Sequence, residues 1–173
     1  MIACVDVDYR DAGAAAACVV FSAWGDERSL EEVVVTIDEV EPYEPGQFFR
    51  RELPCLIAVL GRIESTPRIV LIDGYVWLGD EGDPGLGAHL HEAMGRQVAV
   101  IGVAKTRFLR ARAVQEITRG GSQAPLFITA VGLSLPEAAE HVREMHGPFR
   151  IPTLLKRADQ LCRGLAEPTQ PPA

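Results

Sequence analysis

The first forty residues contain three short segments whose apolar positions have the spacing of β-strands. Side chains in 2–8 alternate between two faces, and Asp6 shares a face with Cys4. Segments 14–22 and 31–37 are rich in alanine and valine, and short polar links separate the three segments. Because strands joined by short links pair most easily in opposite directions, the pattern predicts an antiparallel meander.

After residue 46 the apolar spacing changes to that of an amphipathic helix. Apolar side chains recur every three or four residues between positions 49 and 63. Pro54 lies within this stretch and is expected near the first helical turn, where the missing N–H costs little. The continuous apolar runs at 68–73 and 98–101 are typical of buried parallel strands.

The rest of the chain supplies further helices and a hairpin. Ser134 and Glu137 have the spacing of a capping box, which marks the start of a helix. The predicted elements after residue 73 are a helix at 86–94, a hairpin from 114–118 and 126–129, and helices at 135–145 and 153–165. This order predicts an α/β fold whose mixed sheet, an antiparallel meander leading into parallel strands, is flanked by helices. We expect one domain over 1–165 and a disordered tail at 166–173.

Composition narrows the class of protein. The 173 residues are 47% hydrophobic and 24% charged, as in a globular domain rather than a disordered or fibrous chain. No apolar run approaches the ~18 residues that a membrane helix needs, and the start of the chain lacks the basic and apolar regions of a signal peptide. The four cysteines form no C-x-x-C pair, which argues against a zinc ribbon or a disulfide framework. We therefore expect a cytoplasmic protein with reduced thiols and no membrane partner.

Charge is divided unevenly along the chain. Residues 1–95 carry 18 acidic and 6 basic residues, a net charge of −12, whereas 96–173 carry 6 acidic and 11 basic residues, a net charge of +5. Five basic residues lie between positions 105 and 119 of the sequence, and Glu116 is the only acidic residue in that stretch. They could form a phosphate-binding face, but charge alone favours a solvated surface of mixed sign.

Two aspartates end apolar strands, where an unpaired carboxylate is costly to bury. Asp6 ends the first strand, and Asp73 ends the run at 68–73. Acids at the ends of neighbouring central strands repel one another unless a cation lies between them, and carboxylate oxygens suit Mg²⁺ or Mn²⁺. Taken singly, each aspartate is better explained as a solvent-exposed acid that caps a loop.

Three further residues add to this candidate chemistry. Glu52 lies early in the first helix, Asp159 flanks the apolar stripe of the last helix, and Lys105 follows a buried strand. Each has an ordinary alternative, namely a surface glutamate, a surface ion pair and a lysine that faces water. Together, four acids from four segments and one lysine are the side chains that a two-metal phosphodiester hydrolase needs.

Five groups of short motifs follow one another along the chain. They are CVDV at 4–7, PYEPG at 42–46 with FRRE at 49–52, DG at 73–74, IGVAK at 101–105, and RIP at 150–152 with KRAD at 156–159. Their order and spacing resemble those of the endonuclease V family, which are deoxyinosine-directed nucleases with a ribonuclease H-like fold. The resemblance extends from residue 2 to about residue 163.

The resemblance implies roles for individual residues. Asp6, Glu52, Asp73 and Asp159 would ligate Mg²⁺ or Mn²⁺ and, with Lys105 on the scissile phosphate, form the catalytic set. The implied substrate-binding residues are Tyr43, Pro45, Gly46, Gly74 and Gly102. The tyrosine and its neighbours would fill the gap left by an extruded base, and the glycines would allow the main chain close to a flipped hypoxanthine. The implied activity is metal-dependent hydrolysis of phosphodiester bonds near inosine in DNA or RNA.

One segment departs from the family pattern. Where the family has a second glycine and then a basic His-Pro-Arg-Arg loop after its D-G motif, this chain has Val76, Gly79 and the acids Asp80, Glu81 and Asp83. Acids beside a phosphate path oppose nucleic-acid binding. The alternative function is therefore that of a family paralogue with altered or lost lesion specificity, which binds nucleic acid or a partner protein.

Overall fold

A seven-stranded mixed sheet organises the chain. The structure is a computed structural model, and it describes residues 1–11, 13–42, 44, 46–79 and 82–169. The strands among these residues are β1 (Ile2–Tyr9), β2 (Ala14–Phe21), β3 (Glu31–Ile37), β4 (Ile69–Asp73), β5 (Ala99–Ala104), β6 (Gln115–Ile117) and β7 (Leu126–Val131). The helices are α1 (Phe48–Leu60), α2 (Leu86–Ala93), α3 (Leu135–Glu144) and α4 (Thr153–Cys162). None of these helices is long and apolar enough to span a membrane.

The strand order across the sheet is β3-β2-β1-β4-β5-β7-β6. Strands β1, β2 and β3 form the predicted antiparallel meander, and β1, β4 and β5 are parallel neighbours. The hairpin strands β6 and β7 then pair antiparallel, and β7 extends the sheet from β5. The predicted fold class, α/β with a mixed sheet, is therefore confirmed.

Helices cover both faces of the sheet, and each face has its own hydrophobic cluster. Alternate residues of β1 enter different clusters: Cys4 packs with α3 and α4, whereas Val5 packs with α1 and α2. All eight residues of β2 are buried, because the sheet is covered on both sides at this point. Cys4 is directed toward the face of the sheet that carries α4. Because side chains alternate along a strand, Asp6, two residues later, is directed toward the same face.

Two local predictions about helices have opposite outcomes. The Ser134 hydroxyl accepts a hydrogen bond from the Glu137 backbone N–H at 3.3 Å, which confirms the predicted cap of α3. Pro54, in contrast, was expected near a first turn and lies in the second turn, since α1 begins at Phe48. The expected position near the first turn was therefore wrong. A proline in the second turn cannot donate a hydrogen bond to the carbonyl of Arg50, and packing of α1 on the sheet compensates for the lost bond.

A buried ion pair ties the edge of the sheet to α4 and to the segment that follows it. Arg157 donates from Nε and Nη2 to the Glu32 carboxylate at 2.9 and 2.8 Å, and only 2% of the Glu32 side chain is exposed. The backbone N–H of Thr169 donates to the same carboxylate at 2.7 Å, and the carbonyl of Glu167 accepts from Arg157 at 2.6 Å. The described part of the predicted tail, 166–169, thus contacts the domain, and 170–173 lie outside the described residues.

Removing the charge of Glu32 is expected to destabilise the fold in a pH-dependent way. Burial alone would raise the pKa of Glu32, but hydrogen bonds from Arg157, Thr169 and Ser29 lower it to about 2. Because the folded pKa lies below the ordinary value of about 4.5, the pair stabilises the fold above pH 4.5 and this contribution disappears as the pH falls toward 2. Glu32→Gln should therefore lower the free energy of unfolding by about 2 kcal/mol at pH 7.

Urea unfolding at a series of pH values measures this effect. The difference between wild type and Glu32→Gln should be constant above pH 5.5 and shrink between pH 4.5 and 2. Glu27→Gln makes the same chemical change at an exposed position and should change stability by less than about 0.5 kcal/mol. A difference for Glu32→Gln that is independent of pH would show that the ion pair is not its source.

Candidate active site

Two aspartates lie at the same level on adjacent parallel strands and on the same face, Asp73 at the end of β4 and Asp6 within β1, which continues to Tyr9 and does not end at Asp6 as the sequence predicted. The last pair of the β1–β4 ladder is Val5 with Ile72, so the next residues along the two strands are Asp6 and Asp73. Val5 and Ile72 both point into the cluster under α1 and α2. Since side chains alternate along a strand, Asp6 and Asp73 point to the opposite face, toward α4.

A cleft of about 440 Å³ lies over this point and brings together four of the five residues predicted to be catalytic. Asp6, Asp73, Lys105 and Asp159 all line it. The remaining lining residues come from the loop before α4 and from α4 itself: Phe149, Arg150, Ile151, Leu155 and Lys156. The cleft is therefore bordered by two acids and a lysine on the side of the sheet, and by one acid among basic and apolar side chains on the side of α4.

Lys105 is held against Asp73. Its Nζ lies 2.5 Å from Asp73 Oδ2, and about half of the lysine side chain is exposed. Burial opposes the charge of Lys105, but the hydrogen bond to Asp73 and the nearby charges of Asp6 and Asp159 raise its pKa overall. The lysine therefore stays protonated at neutral pH and places a positive charge in the cleft.

Glu52 occupies a buried position and is not among the residues that line the cleft. Only 6% of it is exposed, and among the residues that the structure describes its buried Oε2 atom has no hydrogen-bond partner. Burial raises the pKa of Glu52 to about 8, with further contributions from Asp6 and Asp73. Burial likewise raises the pKa of Asp6 to about 6, and Asp73 and Asp159 add to the rise. The acids of four segments are thus close enough for their charges to oppose one another.

The predicted convergence of Asp6, Glu52 and Asp73 on a shared ion is not formed in the structure. Within the part of the chain that the structure describes, no three His, Cys, Asp or Glu side chains are grouped closely enough to hold a metal ion. The physical reason is charge: the three carboxylates oppose one another, and Asp73 is paired with Lys105 instead. Without a cation between them, acids of like charge have no electrostatic gain from approaching one another.

The sequence left two interpretations of Asp159 open, a candidate catalytic acid and a surface ion pair, and its position is compatible with both. It lines the cleft on the last helix, and it also forms an ion pair with Arg163 one turn later. About 30% of its side chain is exposed, so the ion pair is partly solvated and weak. The side chain can therefore leave Arg163 at little energetic cost.

The position of Lys105 depends on a residue that sequence reasoning did not single out. Arg150 Nη2 donates to the carbonyl of Lys105 at 2.5 Å and to the carbonyl of Pro125 at 2.6 Å. The arginine thereby joins the loop before α4 to the segment that carries the lysine. Its only sequence signal is its place in the RIP motif, because both of its partners are backbone atoms distant in the sequence.

The predicted substrate-binding residues are distributed over several environments. Gly74 and Gly46 have φ values of 143° and 81°, a region that side chains rarely adopt, and a Cβ on either would meet nothing within 4 Å. Gly102 is buried, and a Cβ there would lie 2.5 Å from Thr129 Oγ1 and 2.6 Å from the Gly74 carbonyl oxygen. Its missing side chain therefore leaves room for the segment after Asp73. Tyr43 and Pro45 lie outside the described residues.

Adding a single methyl group at Gly102 is expected to destabilise the protein. Gly102→Ala would push against Thr129 and the main chain of Gly74, and overpacking of this kind costs about 1–3 kcal/mol. Gly25→Ala is the matched control, since a Cβ at Gly25 meets nothing within 4 Å. Urea unfolding of both variants measures the difference, and equal stability of the two would contradict the tight packing at Gly102.

The loop after Asp73, where this chain lacks the basic segment, folds back onto the domain. Trp77 Nε1 donates to the Ala130 carbonyl at 3.0 Å, and the Leu78 N–H donates to the Asp83 carbonyl at 2.8 Å. Tyr75 Oη donates to the carbonyl of Thr106 at 2.8 Å and accepts from the N–H of Phe108 at 2.9 Å. The loop is therefore anchored to β7 and to the segment after Lys105. Asp80 and Glu81 lie outside the described residues.

Comparison with known proteins supports the class that this geometry suggests. The fold, with acids at the same level of adjacent parallel strands and a lysine after the next strand, is that of ribonuclease H-like nucleases. The family model of Endonuclease V matches residues 1–135. The chain therefore belongs to the Endonuclease V family, which is a family of nucleases.

Three relatives illustrate the similarity. Endonuclease V of Xylella fastidiosa is 34% identical over 139 residues, which are 78% of this chain, and the match covers 56% of that relative's length. The crystal structure of Endonuclease V from Streptomyces avermitilis has a TM-score of 0.77 at 26% identity and covers 95% of this chain and 80% of that one. A Ciona intestinalis Endonuclease V, in complex with DNA that contains an inosine followed by a ribo-adenosine, has a TM-score of 0.78 at 19% identity over 95% of this chain and 84% of that one.

Proposed function

We propose that this chain is a metal-dependent endonuclease that hydrolyses phosphodiester bonds near inosine in DNA or RNA. One observation carries the proposal: Asp6, Asp73, Asp159 and Lys105 come from four separate segments and line a single cleft. Family membership supports the nuclease activity. The inosine-containing DNA bound by the Ciona relative supports the substrate class, and with it a role in the repair of deaminated purines.

The donor atoms present suit Mg²⁺ or Mn²⁺, and binding of the ion would draw together the side chains of Asp6, Glu52, Asp73 and Asp159, which are not grouped closely enough in the structure. Hard cations prefer carboxylate oxygens, and the buried Oε2 of Glu52 has no hydrogen-bond partner among the described residues. A cation would also offset the mutual repulsion of Asp6, Glu52 and Asp73. When bound, the metal would stabilise charge that develops on the phosphate oxygens during hydrolysis.

Lys105 provides a positive charge in the site that does not depend on a metal ion. Its ammonium group lies in the cleft beside Asp73, where a phosphate could replace the carboxylate as its partner. In this role it orients the scissile phosphate and offsets negative charge on it. We further propose that Tyr43, Pro45, Gly46 and Gly74 form the side of the site that accepts the flipped base, and that the buried Gly102 supports it by leaving room for the main chain of Gly74.

A cleavage assay with four labelled oligonucleotides tests the proposed substrate. DNA and RNA strands, each with one inosine or with adenosine at the same position, are incubated with the protein and Mg²⁺. The proposal predicts a cut at a fixed distance from inosine in at least one of the two nucleic acids, and at most background cleavage of the adenosine strands. Equal cleavage of inosine and adenosine strands would contradict lesion recognition.

A second candidate function rests on the loop after Asp73. That loop is anchored through Trp77 and carries Asp83, where the family pattern has basic residues. In this candidate function the chain binds nucleic acid or a partner protein and has altered or lost lesion specificity. Because fewer phosphates would be neutralised, duplex affinity should depend weakly on salt, with a log–log slope of about 3 or less in magnitude. A steeper slope together with inosine-specific nicking would eliminate this second candidate.

A further inference from the structure

Phe149 is an exposed aromatic side chain on the wall of the catalytic cleft. Its exposed fraction is 66%, although most large apolar side chains of the domain are buried. It lines the same cleft as Asp6, Asp73 and Lys105. An exposed aromatic ring beside a group of catalytic candidates suggests contact with a ligand rather than a role in the core.

The backbone that carries Phe149 is held in place from behind. The guanidinium of Arg119 donates to the carbonyls of Met145, Gly147 and Phe149, the last at 2.8 Å. Gly120 approaches so closely that a Cβ there would lie 2.4 Å from the carbonyl carbon of Phe149. The main chain is therefore fixed while the ring stays exposed, which reduces the entropy lost when a ligand binds to the ring.

Two basic residues connect the ring with phosphate binding. Lys156 Nζ lies 5.9 Å from the centre of the Phe149 ring, and its side chain also lines the cleft. Arg150, the next residue after Phe149, donates a hydrogen bond to the carbonyl of Lys105 and so joins the segment that carries the ring to the main chain of that lysine. A nucleotide with its phosphate between Lys105 and Lys156 would place its base within reach of the ring.

We infer that Phe149 is a stacking platform for an unpaired base of the substrate strand, and that Lys156 binds a phosphate of the same strand. The inference rests on the proposed function, since it adds a second nucleotide contact to the same site. A cleft of about 440 Å³ has room for one nucleotide. Stacking on an aromatic ring tolerates any base, so the contact would hold the strand without reading its sequence.

Binding of single-stranded DNA that lacks inosine, measured in the presence of a chelator, tests the inference separately from cleavage. Each strand carries one 2-aminopurine, a base whose fluorescence falls when it stacks, at successive positions along the strand. Phe149→Leu should weaken binding about 5- to 100-fold and restore the fluorescence at one position. Phe149→Trp should retain both affinity and quenching, whereas Lys156→Gln should weaken binding and reduce its salt dependence.

Leu165→Ala is the control, because Leu165 is 73% exposed and does not line the cleft. It should leave affinity and fluorescence unchanged, and thermal melting should be the same for all four variants. Wild-type affinity and quenching in Phe149→Leu, or no strand binding by the wild type, would overturn the inference. If the wild type cleaves inosine strands but shows no quenching that depends on Phe149, the platform alone is refuted. If it shows that quenching but cleaves no strand, the proposed function alone is refuted.

Discussion

Asp73→Asn is expected to abolish strand cleavage while folding and nucleic-acid binding are retained. The substitution preserves the shape of the side chain, and its amide oxygen can still accept the hydrogen bond from Lys105. It removes a charged group that we propose as a metal ligand at the end of β4, and because metal ions contribute several kcal/mol to phosphoryl hydrolysis, the rate should fall about 10³-fold or more. Binding should be equal or slightly tighter, because one negative charge beside the phosphate path is lost.

Single-turnover cleavage and fluorescence anisotropy measure the two effects of Asp73→Asn separately. Asp83→Asn is the matched control, since it makes the same chemical change in the neighbouring loop outside the cleft. The control should cleave within a few-fold of the wild-type rate. Cleavage by Asp73→Asn at the wild-type rate would remove this aspartate from the chemistry and contradict the proposed metal site.

Glu52→Gln is expected to have opposite effects on stability with and without metal. Burial and two nearby acids raise the pKa of Glu52 to about 8, so above pH 4.5 folding must either take up a proton there or bury a charge whose Oε2 has no hydrogen-bond partner among the described residues. The neutral Gln avoids this cost and should stabilise the metal-free protein by about 1 kcal/mol at pH 7. A change of that size raises the melting temperature by about 2–4 °C. The same variant should lose most of the stabilisation that Mg²⁺ or Mn²⁺ gives to the wild type, because a ligand is missing. Cleavage should fall about 10³-fold.

Thermal melting with a chelator and with millimolar Mn²⁺ makes the comparison for Glu52→Gln. Glu41→Gln, at an exposed position before α1, serves as the control and should respond to Mn²⁺ as the wild type does. If Glu52→Gln is less stable than the wild type in chelator, the carboxylate is a structural group with an unrecognised partner. If its response to Mn²⁺ equals that of the wild type, Glu52 is not a ligand.

The sheet could be predicted because its signals are local. Residues 31–37 form a strand with the predicted bounds, and the apolar runs that end in Asp6 and Asp73 are strands whose acids share one face. Alternation along a strand and the parallel order of two buried runs are sufficient to bring those two acids together. Pro54 shows the limit of local reasoning, because the start of α1 is set by packing against the sheet rather than by the proline.

The candidate site could be predicted only in part, because some of its properties depend on contacts between distant segments. Sequence order cannot show that Arg150 holds the main chain of Lys105, or that Glu52 is buried and does not line the cleft. The ion pair of Asp73 with Lys105 has the same origin, since the topology brings the ends of β4 and β5 together. The pair of Asp159 with Arg163 is different, because the two residues are one helical turn apart and the sequence already allowed it.

The rate of cleavage of an inosine-containing strand, followed under single-turnover conditions as Mg²⁺ is raised from zero, tests the central claim most directly. We expect no product in the presence of a chelator. As Mg²⁺ is added, the rate should rise and reach a plateau when the metal site formed by Asp6, Glu52, Asp73 and Asp159 is filled. Replacement of Mg²⁺ by Mn²⁺ should preserve this behaviour. Cleavage at an undiminished rate in chelator, or no cleavage at any concentration of either metal, would contradict it.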